Sequence, residues 1–177
     1  MTFFFEFENP ESFATGAIGR PGERTFYLQV TAEGRTISVK CEKQQVLAIA
    51  TYLREMLADM PLPTNTPSES VAEIRSPVEE DFVLGSVGLG IDRASSRMLV
   101  QLEEMQFVED DDDDIFDLLD DDDDDESSSS LVRALITPEQ ALAFCNHAES
   151  IVSAGRETCR WCGFPMDAGK HICPRMN

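Results

Sequence analysis

Apolar and polar positions divide the chain into two similar runs of short strands, each followed by one helix. Residues 3–8 (FFFEFE) are aromatic enough for a strand, which Asn9-Pro10 ends. Residues 12–19 (SFATGAIG) predict a second short strand, and GRPGER a turn. RTFYLQV (24–30) and TISVKC (36–41) predict two more strands, joined by the hairpin turn TAEGR. In residues 42–60, Val46, Ile49, Leu53, Met56 and Leu57 fall on one face of a helix. MPLPTNTPSES (60–70) carries three prolines among polar residues and predicts a linker or long loop.

Beyond that segment the pattern recurs. FATGAIGRPGER (13–24) aligns without a gap on FVLGSVGLGIDR (82–93), so that Phe13 matches Phe82, Gly16 matches Gly85 and Gly19 matches Gly88. FYLQV matches MLVQL (98–102), and TISVKCEKQQVLAIA (36–50) matches LVRALITPEQALAFC (131–145), with Gln45 on Gln140. Thr137-Pro138-Glu139-Gln140 is a helix start, with Thr as N-cap, Pro at the first helical position and Gln at the capping-box position. Ala141, Leu142, Phe144, Cys145, Ala148, Ile151 and Val152 supply its buried stripe, and Gly155 ends it.

The expected fold is α+β: tandem duplicated β-β-β-α units with antiparallel sheet, related by a pseudo-twofold axis, plus a small zinc-ribbon-like tail. The expected divisions are a first unit at 1–60, a Pro-rich linker at 61–78, a second unit at 79–155 and a tail at 156–177. The second unit carries an acidic insertion at 109–130, expected to be disordered.

The tail holds the densest chemistry. Cys159-x2-Cys162 is followed by Gly163, and then by His171-x-Cys173. A Cys-x2-Cys-Gly turn converges two sulfurs on one point, and glycine there relieves crowding. In an extended segment residues i and i+2 point the same way, so His171 and Cys173 can face one ion together. Cys159, Cys162, His171 and Cys173 make a closed tetrahedral zinc set with no position open for water or substrate. That is a structural zinc, and it would supply most of the folding free energy of so short a segment. The competing reading is a redox Cys-x2-Cys with His171 incidental, for which no thioredoxin-like βαβ pattern is present. Trp161 and Phe164 flank the first turn. Arg156, Arg160, Lys170 and Arg175 outnumber the tail's two acids, which suits nucleic-acid contact. Alternatively, Trp161 packs the turn onto the body, and this is the slightly favoured reading.

Charge changes the picture in one place. The formal net charge is −20, yet 14 of the 34 acidic residues lie in EDDDDDIFDLLDDDDDDE (109–126), without one basic residue. The remaining 20 acidic and 14 basic residues leave the rest at about −6. The apolar island Ile115, Phe116, Leu118 and Leu119 in that run resembles segments that dock on a partner; its functional readings are a basic protein partner, competition with nucleic acid by charge mimicry, or weak divalent-ion binding. The bland reading is a self-repelling solvated loop. At 42% apolar residues the chain can bury a core. MTFFFEFENPES lacks the basic region of a signal peptide, and no apolar stretch reaches membrane-spanning length. Five clustered cysteines argue against a disulfide framework. These features predict a cytoplasmic protein without a membrane partner.

The glycines of GAIGRPG and GSVGLG lie between strands rather than before a helix, so bulges or tight crossings suit them better than a phosphate loop. Glu23-Arg24 and Asp92-Arg93 recur in both units. They suggest either structural ion pairs or a polar cleft that includes Arg24, Lys40, Lys43 and Arg93. His147 is expected on the helix surface, and Cys41 and Cys145 as small core residues. No Ser-His-Asp, Cys-His or carboxylate-dyad pattern stands out.

FATGAIGRPGERTFYLQ, EKQQVLAIA and CGFPMDAGKHICPR together resemble a bacterial domain-of-unknown-function family, number three thousand and ninety, also described as a repeat protein. The likeness covers nearly the whole chain apart from the acidic insertion and the Pro-rich segment. It implies a cytoplasmic bacterial protein of unassigned activity, with Cys159, Cys162, His171 and Cys173 matching the family's tail motif. The leading expectation is a non-enzymatic binding or adaptor module with a protein partner. An enzyme or phosphate-ligand binder with a cleft between the units, and a nucleic-acid binder acting through the tail, remain open beside it.

Overall fold

A computed structural model describes residues 2–61, 63, 65, 69–106, 129–155, 159–164, 166 and 172–175. Its elements follow the apolar pattern closely. They are β1 (Phe4–Phe7), β2 (Ser12–Ile18), β3 (Thr25–Ala32), β4 (Arg35–Cys41), α1 (Lys43–Ala58), β5 (Phe82–Asp92), β6 (Arg97–Glu104), β7 (Leu131–Ile136) and α2 (Pro138–Ser153), with a 3-10 turn at Glu69–Ala72 between α1 and β5. The class is α+β, with one mostly antiparallel seven-stranded sheet and two helices.

Local chemistry explains the joints. Glu33 and Gly34 both have positive φ in the two-residue loop between β3 and β4, the conformation of a tight primed hairpin turn. Between β2 and β3, Gly19 sits at φ 111°, where an added Cβ would lie 2.6 Å from the Glu23 carbonyl oxygen. Helix α2 starts on Thr137, whose hydroxyl accepts the Gln140 N–H at 3.2 Å while Gln140 Oε1 accepts the Thr137 N–H at 3.0 Å. Gln45 repeats part of this at α1, accepting the Glu42 N–H at 2.8 Å. Each glutamine also reaches across the body. Gln140 Nε2 donates to the Pro10 carbonyl at 2.8 Å, and Gln45 Nε2 to the Leu84 carbonyl at 3.4 Å.

The strand order is β1-β7-β6-β5-β4-β3-β2. Strands β2, β3 and β4 form one antiparallel meander, and β5, β6 and β7 another. The meanders join through parallel β4 and β5, at Val39↔Phe82 and Lys40↔Val83. Strand β2 therefore runs parallel to β5, β3 to β6 and β4 to β7. A twofold axis normal to the sheet would reverse these directions, so no such axis relates the two meanders. Glycine marks the seams as expected. The β5–β6 register slips between Leu84 and Val87 beside Gly85, where an added Cβ would meet the Met105 backbone at 2.7 Å.

Strand β1 pairs in parallel with β7, at the far edge from β2. Only residues 8–11 connect β1 to β2, a span of at most about 18 Å. A flat seven-stranded sheet would separate its edge strands by about 29 Å, so the sheet is rolled. Cross-roll contacts agree: the Phe3 ring lies 5.7 Å from Phe82 of β5, and the Arg35 guanidinium of β4 lies 4.5 Å from the Phe5 ring centroid. The inner face contributes Phe13, Leu28, Val30, Val39, Leu84, Met98, Leu102 and Ile136, all essentially without solvent contact. Helices α1 and α2 complete the core with Val46, Ile49, Leu53, Ala141, Phe144 and Cys145. Phe144 of α2 stacks on Phe13 of β2, rings 4.5 Å apart. The helices are also tied outside, where Arg54 bonds both Glu149 and Asn146.

Within the Pro-rich composition and just beyond it, residues 72–81 run along the first meander. Glu73 bridges Thr15 of edge strand β2, and Ile74 occupies the notch of Gly16, whose added Cβ would lie 2.5 Å from the Ile74 side chain. Buried Gln29 donates to the Arg75 carbonyl at 3.1 Å and accepts the Arg75 N–H at 2.7 Å, replacing a strand neighbour with a side-chain amide. Among the described residues no buried side-chain nitrogen or oxygen lacks a hydrogen-bond partner.

Candidate metal centre

Beyond the turn at Ala154 and Gly155, the described tail consists of a tight turn at residues 159–164 and the short stretch 172–175. The turn is closed by two backbone bonds. Gly163 N–H donates to the Cys159 carbonyl at 2.8 Å, and Cys159 N–H to the Phe164 carbonyl at 2.8 Å. Gly163 has φ 74°, a conformation that favours glycine and turns the chain back on itself. The two-residue spacing thereby puts both sulfurs on one side of the turn.

Cys173 then meets them. The sulfurs of Cys159, Cys162 and Cys173 all lie within 4.8 Å of one another, and Cys159 Sγ is 3.9 Å from Cys173 Sγ. Cys159 and Cys173 are buried and Cys162 is half-buried. The N–H groups of Trp161 and Cys162 point at the Cys159 sulfur and lower its thiol to about 6, so it is mostly thiolate at neutral pH. Burial raises the Cys162 thiol, and its two sulfur neighbours raise it further. One thiolate among three contacting sulfurs suits a cation, whose charge would deprotonate the rest. This sulfur cluster can hold a metal ion. Sequence spacing found these three cysteines, while its fourth expected ligand, His171, lies outside the described residues, as do Arg156 and Lys170.

Cys41 and Cys145 have the opposite environment. Burial pushes their thiols up to about 12 and about 11, and Cys145 Sγ donates to the Ala50 carbonyl at 3.3 Å. They are core residues. Of the four residues of the expected polar cleft, Arg24 and Lys43 lie together at the C-terminal end of α2, while Lys40 and Arg93 lie elsewhere. Arg24 donates to the carbonyls of Ile151 and Ala154 at 3.2 and 2.8 Å, satisfying the C-terminus of α2, a role spacing alone did not suggest. Lys40 pairs with Glu80 at 3.7 Å. Arg93 is exposed in the β5–β6 turn, where Asp92 instead binds Ala94 N–H and Ser95 Oγ. Lys43 Nζ lies beside Gly155. A groove of about 430 Å³ at the β1 end is lined by Glu6, Phe7, Glu8, Asn9, Ala32 and Glu33. Its described lining contains no serine, cysteine or histidine.

Trp161 is 52% exposed, against the expectation that it packs on the body, and Phe164 is 61% exposed. The Arg160 guanidinium lies 4.9 Å from the Trp161 ring centroid. No described helix is long and apolar enough to cross a membrane. The acidic island Ile115–Leu119 lies outside the described residues.

The family model for a protein of unknown function (DUF3090) matches residues 5–173. Neither a curated protein nor a solved structure matches. The chain belongs to the DUF3090 family.

Proposed function

We infer that this member of a family without assigned activity is a non-enzymatic binding module, whose tail is closed around one structural zinc ion by Cys159, Cys162, His171 and Cys173. The observation that supports this reading best is the cluster of three sulfurs within 4.8 Å. A sulfur-rich set with one imidazole favours zinc among the available divalent ions. Four protein donors fill a tetrahedron, so the ion would organise the chain rather than activate water. The structural tasks of Arg24 and Lys40 favour this over an enzyme with a cleft between the units.

On this reading the body is a duplication, units 1–60 and 79–155 joined by 61–78, with the tail at 156–177. Its support is the shared β-β-β-α order, the parallel relation of matched strands and the matched glutamines Gln45 and Gln140. A cytoplasmic location suits thiols kept reduced for a metal. The partner is a protein, met through exposed Trp161 and Arg160. A second reading, nucleic-acid contact, rests on the same pair. It requires salt-sensitive binding that Arg160→Ala with Trp161→Ala removes.

Cobalt substitution tests the closed site. Co(II)-loaded protein should show the d–d spectrum of a tetrahedral sulfur-rich centre, unchanged by azide or phosphate. A spectrum that shifts on adding either would mean an open coordination position and contradict the structural reading.

A further inference from the structure

Sulfurs close enough to share one ion are also close enough to bond to one another. Those of Cys159, Cys162 and Cys173 lie within 4.8 Å of one another, and Cys159 Sγ stands 3.9 Å from Cys173 Sγ. A disulfide places its sulfurs about 2 Å apart, so these two side chains need only close by about 2 Å between them. They differ from the third cysteine in solvent access. Cys159 and Cys173 are 5 and 7% exposed, whereas Cys162 is half-buried. Cys41 and Cys145 stand apart from the cluster, buried in the body, with Cys145 Sγ donating to the Ala50 carbonyl.

We propose that this cluster is a site of oxidative modification, at which hydrogen peroxide joins Cys159 to Cys173 in a disulfide and expels the metal ion. The expelled ion rests on the proposed metal-closed tail, while the crosslink rests on the sulfur contacts alone. Peroxide meets Cys162 first, the sulfur-bearing residue with the most solvent contact. The Cys162 thiolate attacks a peroxide oxygen. An S–O bond forms, the O–O bond breaks, and the hydroxide released takes a proton to become water, leaving a sulfenic acid. The Cys159 thiolate then attacks the Cys162 sulfur. An S–S bond forms, the S–O bond breaks, and the second hydroxide leaves and is protonated to water. Finally the Cys173 thiolate attacks the Cys159 sulfur and displaces Cys162 as a thiolate. In sum, two thiolates give up two electrons, and peroxide with two protons becomes two waters.

Burial decides the final pair. Exposed disulfides are the labile ones, so exchange carries any pair that includes half-buried Cys162 into the pair of buried Cys159 and Cys173. The final pair also decides the consequence. A Cys159–Cys162 bond would lie within a turn that two backbone bonds of 2.8 Å already close. A Cys159–Cys173 bond instead ties that turn to residues 172–175, fourteen positions further along the chain. It consumes two of the four proposed donors, and Cys162 with His171 are too few to hold a tetrahedral zinc ion. The tail thus passes from a metal closure to a covalent one.

The experiment treats the full zinc-loaded chain with a modest excess of hydrogen peroxide and follows zinc release with a chromogenic chelator. The same samples are alkylated without unfolding, and the disulfide is mapped by peptide mass spectrometry. The proposal predicts release of about one zinc per chain, in step with one intramolecular Cys159–Cys173 disulfide. Alkylation should appear at Cys162 and stay absent at Cys41 and Cys145. A thiol reductant followed by zinc should restore the starting metal content. A final disulfide that includes Cys162, or one between two chains, overturns the proposal. So does zinc loss with sulfinic acids and no disulfide. A full zinc complement that survives peroxide keeps the zinc centre and rejects the redox site. The Cys159–Cys173 bond formed in a chain that never held zinc keeps the crosslink and rejects the closed zinc centre.

Discussion

In the body, Phe13 and Phe144 stack with both rings out of solvent, whereas in the tail Trp161 and Phe164 stand more than half exposed. The cysteines divide the other way. Those of the body, Cys41 and Cys145, have thiols raised by burial among apolar groups, while tail Cys159 is lowered by backbone N–H groups. The difference teaches what holds each region. The body is stabilised by apolar area removed from water, so its aromatic side chains are inside. The tail is too short to build such a core. A metal ion held by its cysteines, as proposed, would supply its cohesion and leave its aromatic side chains free to face outward.

Removing the metal should break this comparison most visibly. Structural zinc contributes about 10–16 kcal/mol to small sites, so a chelator or Cys162→Ser should abolish order in the tail while the body's Tm moves by less than about 2 °C, a shift of at most about 0.5–1 kcal/mol for a domain this size. Native alkylation gives a second readout. The metal-free protein should label at Cys159, Cys162 and Cys173, and Cys41 and Cys145 should stay unmodified.

The converse change acts on the body. Phe144→Ala leaves a cavity against Phe13 and should cost about 3–5 kcal/mol in denaturant unfolding, with zinc stoichiometry unchanged. If zinc is lost in parallel, the two regions fold as one and the comparison fails. Next in size, Thr137→Ala removes the α2 cap at a cost of about 1 kcal/mol.

The smallest expected effect is at the end of β6. Glu104 accepts the Ser130 N–H at 2.9 Å, which holds its carboxyl below the ordinary value of 4.5. A lowered folded value means the contribution is complete above about pH 4.5 and is lost as pH falls through the lower folded value. The group is largely solvated, so Glu104→Gln should cost well under about 1 kcal/mol at pH 7 and flatten that acid dependence.

Much of the body was legible because its signals are local. The alternation in β3 and β4, the α1 stripe and the Thr137 cap each need only a few neighbouring residues. The parallel β1–β7 and β4–β5 pairings, and the direction of the second meander, depend on contacts distant in sequence and carry no local signature. The Pro-rich stretch shows the same limit, since its composition suggests a free connection. Ile74 nevertheless meets the notch of Gly16, and Arg75 pairs with a buried glutamine 46 residues earlier. In the tail, spacing was enough to bring Cys159, Cys162 and Cys173 together. The exposure of Trp161 was not legible, because an aromatic beside a cysteine turn packs inward or outward according to what else is near. The helix-terminal task of Arg24 was equally hidden, since its acceptors lie 127 and 130 residues away.

The account turns on one ion holding the tail. The direct measurement is zinc per chain in protein purified under reducing conditions, with Cys173→Ser alongside. One equivalent in the wild type, lost in the variant while the body's circular dichroism is kept, is the predicted result. Less than half an equivalent in the wild type would contradict it.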